Sequence, residues 1–251
     1  MPKNTTTRAK KRRSAAIAAA VAVAAILLGT VSYTATRPED RTDVADQQQT
    51  DTAENADALT DKLQKLARRD AKDPLAQGRA DAPVVLIEYA DFKCGYCGKF
   101  ARDTEPDLVK KYVDDGTLRI EWRNFPIFGA DSNAAARAAW AAGQQGRFWQ
   151  FHKAAYAEGA KDKGFGADRL DALAREAGVK DLDRFRSDHD SKAARAAVKN
   201  DSDEAYALGA TSTPSFLLNG QPIAGAQPTA AFEQAIEAAK AQSTAKSGGG
   251  K

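Results

Sequence analysis

The chain has 251 residues, with 37 Lys and Arg against 34 Asp and Glu and a formal net charge of +3. Six of those bases fall within the first 13 residues, leaving 31 against 34 and a slightly acidic remainder. With no basic patch interleaved with aromatics, that balance argues against nucleic-acid binding; two cysteines and two histidines leave little for a metal centre.

Residues 1–13 carry Lys3, Arg8, Lys10, Lys11, Arg12 and Arg13 and no acidic residue. The next twenty positions, 14–33, hold no charge and are mostly apolar, just long enough for a span of about 17–25 residues. A basic flank before an apolar run predicts a signal-anchor helix or a cleavable signal. Either would keep the bases cytosolic and the rest of the chain outside. Cleavage after Ala35 would set the bulky Tyr33 where a small residue is preferred, which favours the anchor. The expectation is a single-pass protein with an extracytoplasmic domain, secreted if the signal is cleaved.

Residues 34–57 are polar and read as a linker. A domain then runs from 58 to 241, opening with Leu59, Leu63 and Leu66 on one face of a helix. Pro83 to Tyr89 reads as a buried strand, Cys94 to about Val113 as a helix that Pro106 should break, and Thr117 to Trp122 as a second strand. An Ala-rich helical insertion occupies about 130–208. Ser215–Leu218 and Gln221–Ile223 flank Asn219-Gly220, a hairpin signal, and Phe232–Ala239 closes with a helix. Composition predicts disorder for the tail, 242–251. The order β-α-β, helical block, hairpin, α is α/β and suits a thioredoxin fold with a helical insertion, which could cover one side of the sheet.

All the thiol chemistry lies in Cys94-Gly95-Tyr96-Cys97, between the first strand and its helix. Such a pair can be a redox couple, half a zinc site or a structural staple. Zinc would need His152 and His189, far down the chain from Cys97, and a staple over so small a loop constrains little. A redox couple fits the place. Cys94 at the first helical turn meets unpaired amides and a dipole that favour thiolate. Cys97, three residues on, shares its face. Lys93 and Lys99 either add positive charge or point into solvent.

Pro214 stands just ahead of a strand, which implies an edge, a bulge or a cis bond after Thr213. In a cis loop the Thr213 backbone could pair with a substrate strand while the ring shields the sulfurs. Glu88 lies within an apolar strand, where a carboxylate is costly or stays protonated. It either serves Cys97 as a buried proton donor or points to solvent at a sheet edge. Trp140, Phe148, Trp149, Phe151 and Tyr156 read as core of the insertion or as a substrate groove, and His152 among them as a packed or surface side chain.

These motifs resemble the DsbA-like thioredoxin-fold family of exported bacterial thiol–disulfide oxidoreductases. The resemblance covers about 73–240. It rests on Asp81-Ala82-Pro83-Val84, Glu88 to Phe92 with the Cys-Gly-Tyr-Cys run, Arg123-Asn124-Phe125-Pro126, Gly146-Arg147-Phe148-Trp149, and Thr213-Pro214 through Ala226. It implies Cys94 as nucleophile, Cys97 as resolving thiol, Pro214 as the cis-proline and Glu88 as the buried acid. It also implies exported, unfolded or partly folded Cys-containing proteins as substrates, a DsbB- or VKOR-like membrane partner, and no cofactor or metal. Two features depart from it. Gly95-Tyr96 with Thr213 before the proline is similar to the isomerase branch, yet residues 36–72 are too short and polar for that branch's dimerisation domain. The expectation is an extracytoplasmic oxidoreductase that donates disulfides to exported proteins by exchange at Cys94 and Cys97; the alternatives are an isomerase or reductase of the same fold and a redox-inert peptide holder using the groove at Pro214.

Overall fold

The computed structural model describes residues 58–248, with side chains described through 245. The expected basic segment, apolar run and linker lie outside the described residues. Among the described residues no helix is long and apolar enough to cross a membrane.

Five strands form one sheet in the order β1 (Ala76–Gln77), β3 (Leu118–Asn124), β2 (Val84–Ala90), β4 (Ser215–Leu218), β5 (Gln221–Ala224). Only β2 and β3 are parallel. As inner strands they are covered on both faces, so every residue of β2 is buried and its sequence is almost unbroken in apolar residues. The crossover joining them runs through α2 (Gly95–Asp103), α3 (Glu105–Leu108) and one π-helical turn (Val109–Val113), following α1 at residues 58–64. The expected break falls where Pro106, which has no N–H to give, sits in the first turn of α3.

On one face of the sheet Val84, Leu86 and Ile120 pack with Phe100, Leu108, Phe232 and Ile236. Beside them the helical block α4 (Ala130–Gly143), α5 (Phe148–Ala155), α6 (Ala167–Glu176), α7 (Leu182–Asp190) and α8 (Lys192–Ala207) buries Phe148, Phe151, Leu173 and Phe185 against Trp122 and Phe92. The other face holds Val85, Ile87 and Tyr89 under Ala205, Leu63 and Leu66; Leu59, expected on the same stripe, is 56% exposed. The alternate residues of β3, Arg119, Glu121 and Arg123, are buried as well. They can be so because Glu121 pairs with both arginines, at 2.7 and 2.9 Å.

Asn219 and Gly220 both take positive φ, 45° and 82°, and form the expected two-residue hairpin. The Asn219 side chain accepts from Val85 N at 2.8 Å and donates to Pro83 O at 3.0 Å, tying the hairpin to the start of β2. The expected disordered tail differs from what is found: α9 runs from Thr229 to Gly248. Its first turns are anchored by buried Phe232 and Ile236. Once a helix is nucleated, each added residue costs little.

Candidate functional site

The site lies where β2 ends. Asp91 builds the loop that follows. Its carbonyl accepts from Cys94 N at 2.9 Å and from the Tyr156 hydroxyl at 2.9 Å. Its carboxylate accepts from Lys93 N at 2.8 Å and, across the site, from Ile127 N and Phe128 N at 2.7 and 3.1 Å. This turn delivers Cys94 to the N-cap of α2 with extended backbone, φ −74° and ψ 121°. Its sulfur there accepts from Cys97 N at 3.4 Å.

Both cysteines are free thiols. Cys94 is 5% exposed and Cys97 not at all, so Cys94 is the one an incoming sulfur can reach. The Thr213–Pro214 bond is cis and both residues are buried. Cys94 Sγ, as a thiol, donates to Thr213 O at 3.1 Å. The hydrogen bond from Cys97, with further ones from Thr213 and the amides of Cys97 and Tyr96, outweighs desolvation and lowers the Cys94 pKa to about 6. Burial, then the neighbouring Cys94 and Glu88, push the Cys97 thiol well above its ordinary value. A thiolate beside a protonated, buried thiol is suited to disulfide exchange.

Glu88 is fully buried in β2, in register with Trp122 on one side and Phe216 on the other. The alternative of a solvent-facing sheet-edge position is overturned, because β2 is an inner strand. Neither carboxyl oxygen has a hydrogen-bond partner among the described residues. Burial, with the nearby Glu105 and Cys94, raises its pKa well above the carboxylate range.

The lysines expected to favour the thiolate are engaged elsewhere: Lys93 Nζ lies 3.6 Å from Asp131 and Lys99 Nζ 2.6 Å from Asp103. Lys161 does approach, its Nζ 3.4 Å from where a Cβ on Gly95 would sit. Nothing local in sequence marks that contact, whereas an Asp two residues before Lys93 in a strand-to-helix turn is a readable Asx signal. Phe148, Phe151, Tyr156 and His152 are buried in the core of the insertion, and Trp140 and Trp149 are partly buried against it. Tyr96, between the cysteines in sequence, is exposed, as is Phe128, whose backbone N donates to Asp91. Among the described residues no group of three or more His, Cys, Asp or Glu is placed to hold a metal ion.

Residues 69–238 match a family model described as thioredoxin. A probable disulfide bond formation protein D of Bacillus cereus is 34% identical over 148 residues, 57% of this chain and 68% of that protein. The Na(+)/H(+) antiporter NhaA 3 of Salinispora tropica is 33% identical over 181 residues, 70% of this chain but 26% of the antiporter. This chain therefore spans about a quarter of such antiporters. Among solved structures, oxidised BdbD of Bacillus subtilis shares the fold, with a TM-score of 0.62 at 23% identity over 68% of this chain and 95% of that one.

Proposed function

This chain belongs to the thioredoxin family, and from that membership we propose that it is an extracytoplasmic thiol–disulfide oxidoreductase that introduces disulfides into exported proteins by exchange at Cys94 and Cys97. One observation carries the reading. The N-cap sulfur of Cys94, with its pKa lowered to about 6, faces the Thr213 carbonyl 3.1 Å away in the Pro214 loop.

In the oxidised enzyme a substrate thiolate attacks Cys94 Sγ. The Cys94–Cys97 bond breaks, and Cys97 leaves with the electron pair and takes a proton, for which Glu88 is the buried acid. A second substrate thiolate then attacks the substrate sulfur of the mixed disulfide, and Cys94 departs as the stabilised thiolate. The substrate has lost two electrons to the enzyme. The Thr213 backbone, just ahead of β4, is where an extended substrate segment would pair. The natural substrates are exported, unfolded or partly folded proteins with free cysteines. By family resemblance, a quinone-linked DsbB- or VKOR-like membrane protein would reoxidise the pair. The run 14–33 is taken as the anchor on the strength of its sequence alone.

Gly95-Tyr96 together with Thr213 supports a second reading, an isomerase or reductase on the same scaffold. The deciding measurement is the reduction potential of the Cys94–Cys97 couple in the purified full chain, equilibrated in glutathione buffers. A value near about −120 mV means a disulfide donor, and one near about −270 mV a reductase. A redox-inert peptide holder would keep its peptide binding and its function after Cys94→Ala, whereas an oxidoreductase loses activity.

A further inference from the structure

Behind Cys97 lies a group of ionisable side chains that the exchange cycle does not use. Glu105 opens α3, where the crossover breaks, and is 6% exposed. One of its oxygens accepts from Gln77 Nε2 at 2.8 Å. The other faces Nδ1 of His152 at 3.6 Å. His152, on α5, is 3% exposed and wedged among rings, 4.9 Å from Tyr156 and 5.2 Å from Trp122 between centroids. Trp122 is in turn the register neighbour of Glu88.

Glu88, Glu105 and His152 thus share one layer between the sheet and the helices covering it. Both oxygens of Glu88 and Nε2 of His152 are buried without a partner among the described residues. Buried polar atoms in folded proteins find partners, and where side chains supply none, water does. Glu105 and His152 also line a cavity of about 500 Å³ between α3, the π-helical turn and α5. Cys94 does not line it; that cysteine borders a separate cavity of about 80 Å³.

We propose that Glu105 and His152 form the outer stage of a proton path that links Glu88, and through it Cys97, to solvent on the flank of the domain away from Cys94. The proposal rests on the reading of Glu88 as the acid serving Cys97. When attack on Cys94 expels Cys97 as a thiolate, the Glu88 carboxyl proton moves to that sulfur. Glu88 would be left as a carboxylate in an apolar interior, which is costly. It is refilled, through water, from the Glu105 carboxyl. Glu105 recovers its proton from Nδ1–H of His152 while Nε2 takes one from the cavity. One proton enters per Cys97 thiolate formed, and the electron pair stays on sulfur. When the Cys97 thiol attacks, the path runs in reverse.

The pair is suited to this because it can hold protons without holding charge. Burial raises Glu105 to about 8, against the pull of the Gln77 bond, and burial lowers His152 to about 3, so both are neutral near pH 7. From the cavity side the pair meets the exposed charges of Arg102, Lys110, Asp114 and Lys153, and from the core Glu88 and Tyr156. Arg102 is held by a 2.7 Å bond to the Tyr156 carbonyl.

The test is single-turnover reduction of the oxidised full chain by dithiothreitol, followed by tryptophan fluorescence from pH 5 to 10. The variants are Glu88→Gln, Glu105→Gln, His152→Gln and the double variant Glu88→Gln/Glu105→Gln. Glu105→Gln and His152→Gln are expected to slow the reaction roughly five- to tenfold, less than the hundredfold or more of a group that exchanges its proton directly with the reacting atom. They should also erase a break in the wild-type rate near pH 8, and Glu105→Gln should leave the reduction potential unmoved. The double variant should be no slower than Glu88→Gln. Slow Glu88→Gln with Glu105→Gln and His152→Gln at wild-type rate and pH profile would overturn the path and leave the Glu88 reading standing. A wild-type rate for Glu88→Gln would overturn both. Independent, multiplying losses in the double variant would assign Glu105 to packing and overturn the path. Should a variant fail to fold, the wild-type profile decides: no break near pH 8 overturns the proposal.

Discussion

The sulfur of Cys94 and the carbonyl oxygen of Thr213 lie 3.1 Å apart although 119 residues separate them in the chain. The contact joins the start of the first crossover helix to the loop before β4, leaving Cys94 at the rim of the site and Cys97 sealed behind it.

Alkylation of reduced protein should report this arrangement. With the Cys94 pKa lowered to about 6, chiefly by the hydrogen bond from Cys97, roughly 90% of Cys94 is thiolate at pH 7. The rate of iodoacetamide labelling should titrate with a midpoint near that value, and Cys97 should stay unlabelled. Because the pKa is depressed on folding, the stabilisation of the reduced form is complete above the unfolded thiol pKa and is lost as pH falls through about 6. At pH 7 it amounts to on the order of 1 kcal/mol, or about 20–30 mV toward a stronger oxidant. A labelling midpoint near the ordinary thiol value would contradict it.

Asp91→Ala should loosen the site more than the cysteines themselves would. It strips the acceptor from three amides, those of Lys93, Ile127 and Phe128. Leaving such donors unpaired costs about 1–3 kcal/mol each where they are buried. Urea unfolding should show a loss of about 1–2 kcal/mol, after discounting the exposed Phe128 and the partly exposed Lys93 and Ile127. Hydrogen exchange at Ile127 and Phe128 should accelerate; unchanged exchange there would show that the loop is held by other contacts.

On the opposite face of the sheet, Glu121 gathers Arg119, Arg123 and the amides of Arg68 and Arg69. Desolvation alone would raise its pKa, but these donors hold it at about 2. Its contribution is therefore full above the unfolded carboxyl pKa of about 4.3 and is lost as pH falls toward 2. Glu121→Gln should cost about 3 kcal/mol at pH 7, since buried Arg119 loses its carboxylate partner and Arg123 is left with Glu204 alone, 3.3 Å away. The cost should shrink on acidification. Equal losses at pH 7 and pH 3 would place the effect in packing instead of charge.

The elements of this fold were legible where they rest on local rules. The buried strand, the break at Pro106, the Asn219-Gly220 turn and the placing of Cys94 at the start of its helix all follow from period, proline chemistry and turn residues. Charge was harder to read. Arg119, Glu121 and Arg123 alternate with apolar residues as an exposed face would, and they are buried because the segment 66–70 after α1, helix α8 and their own pairing cover them. Lys93 and Lys99 stand next to the cysteines in sequence but are drawn off by Asp131 and Asp103. Lys161 and Glu105 approach the site through long-range packing that no spacing rule records. His152 read as a packed or surface side chain of the insertion, and it is packed. Its neighbour Glu105, 47 residues earlier, makes it more than that.

The pH dependence of stability isolates Glu105 without any kinetic measurement. Its folded pKa, raised by burial to about 8, lies above the unfolded carboxyl value of about 4.3. The unfolded chain therefore releases this proton first, and wild-type stability declines as pH rises from about 4.3 toward about 8. Glutamine cannot ionise, so Glu105→Gln should gain on the wild type across that window and reach a constant advantage above it. His152, held neutral with a pKa near 3, works in the other direction, costing stability as pH falls below its unfolded value. It is present in both proteins, so to first order it cancels in their difference. Urea unfolding of both at pH 4, 6 and 9 gives the difference curve. A flat curve would mean that Glu105 is already a carboxylate in the folded protein at neutral pH. It would then carry a negative charge against His152 in place of a proton that can be passed on.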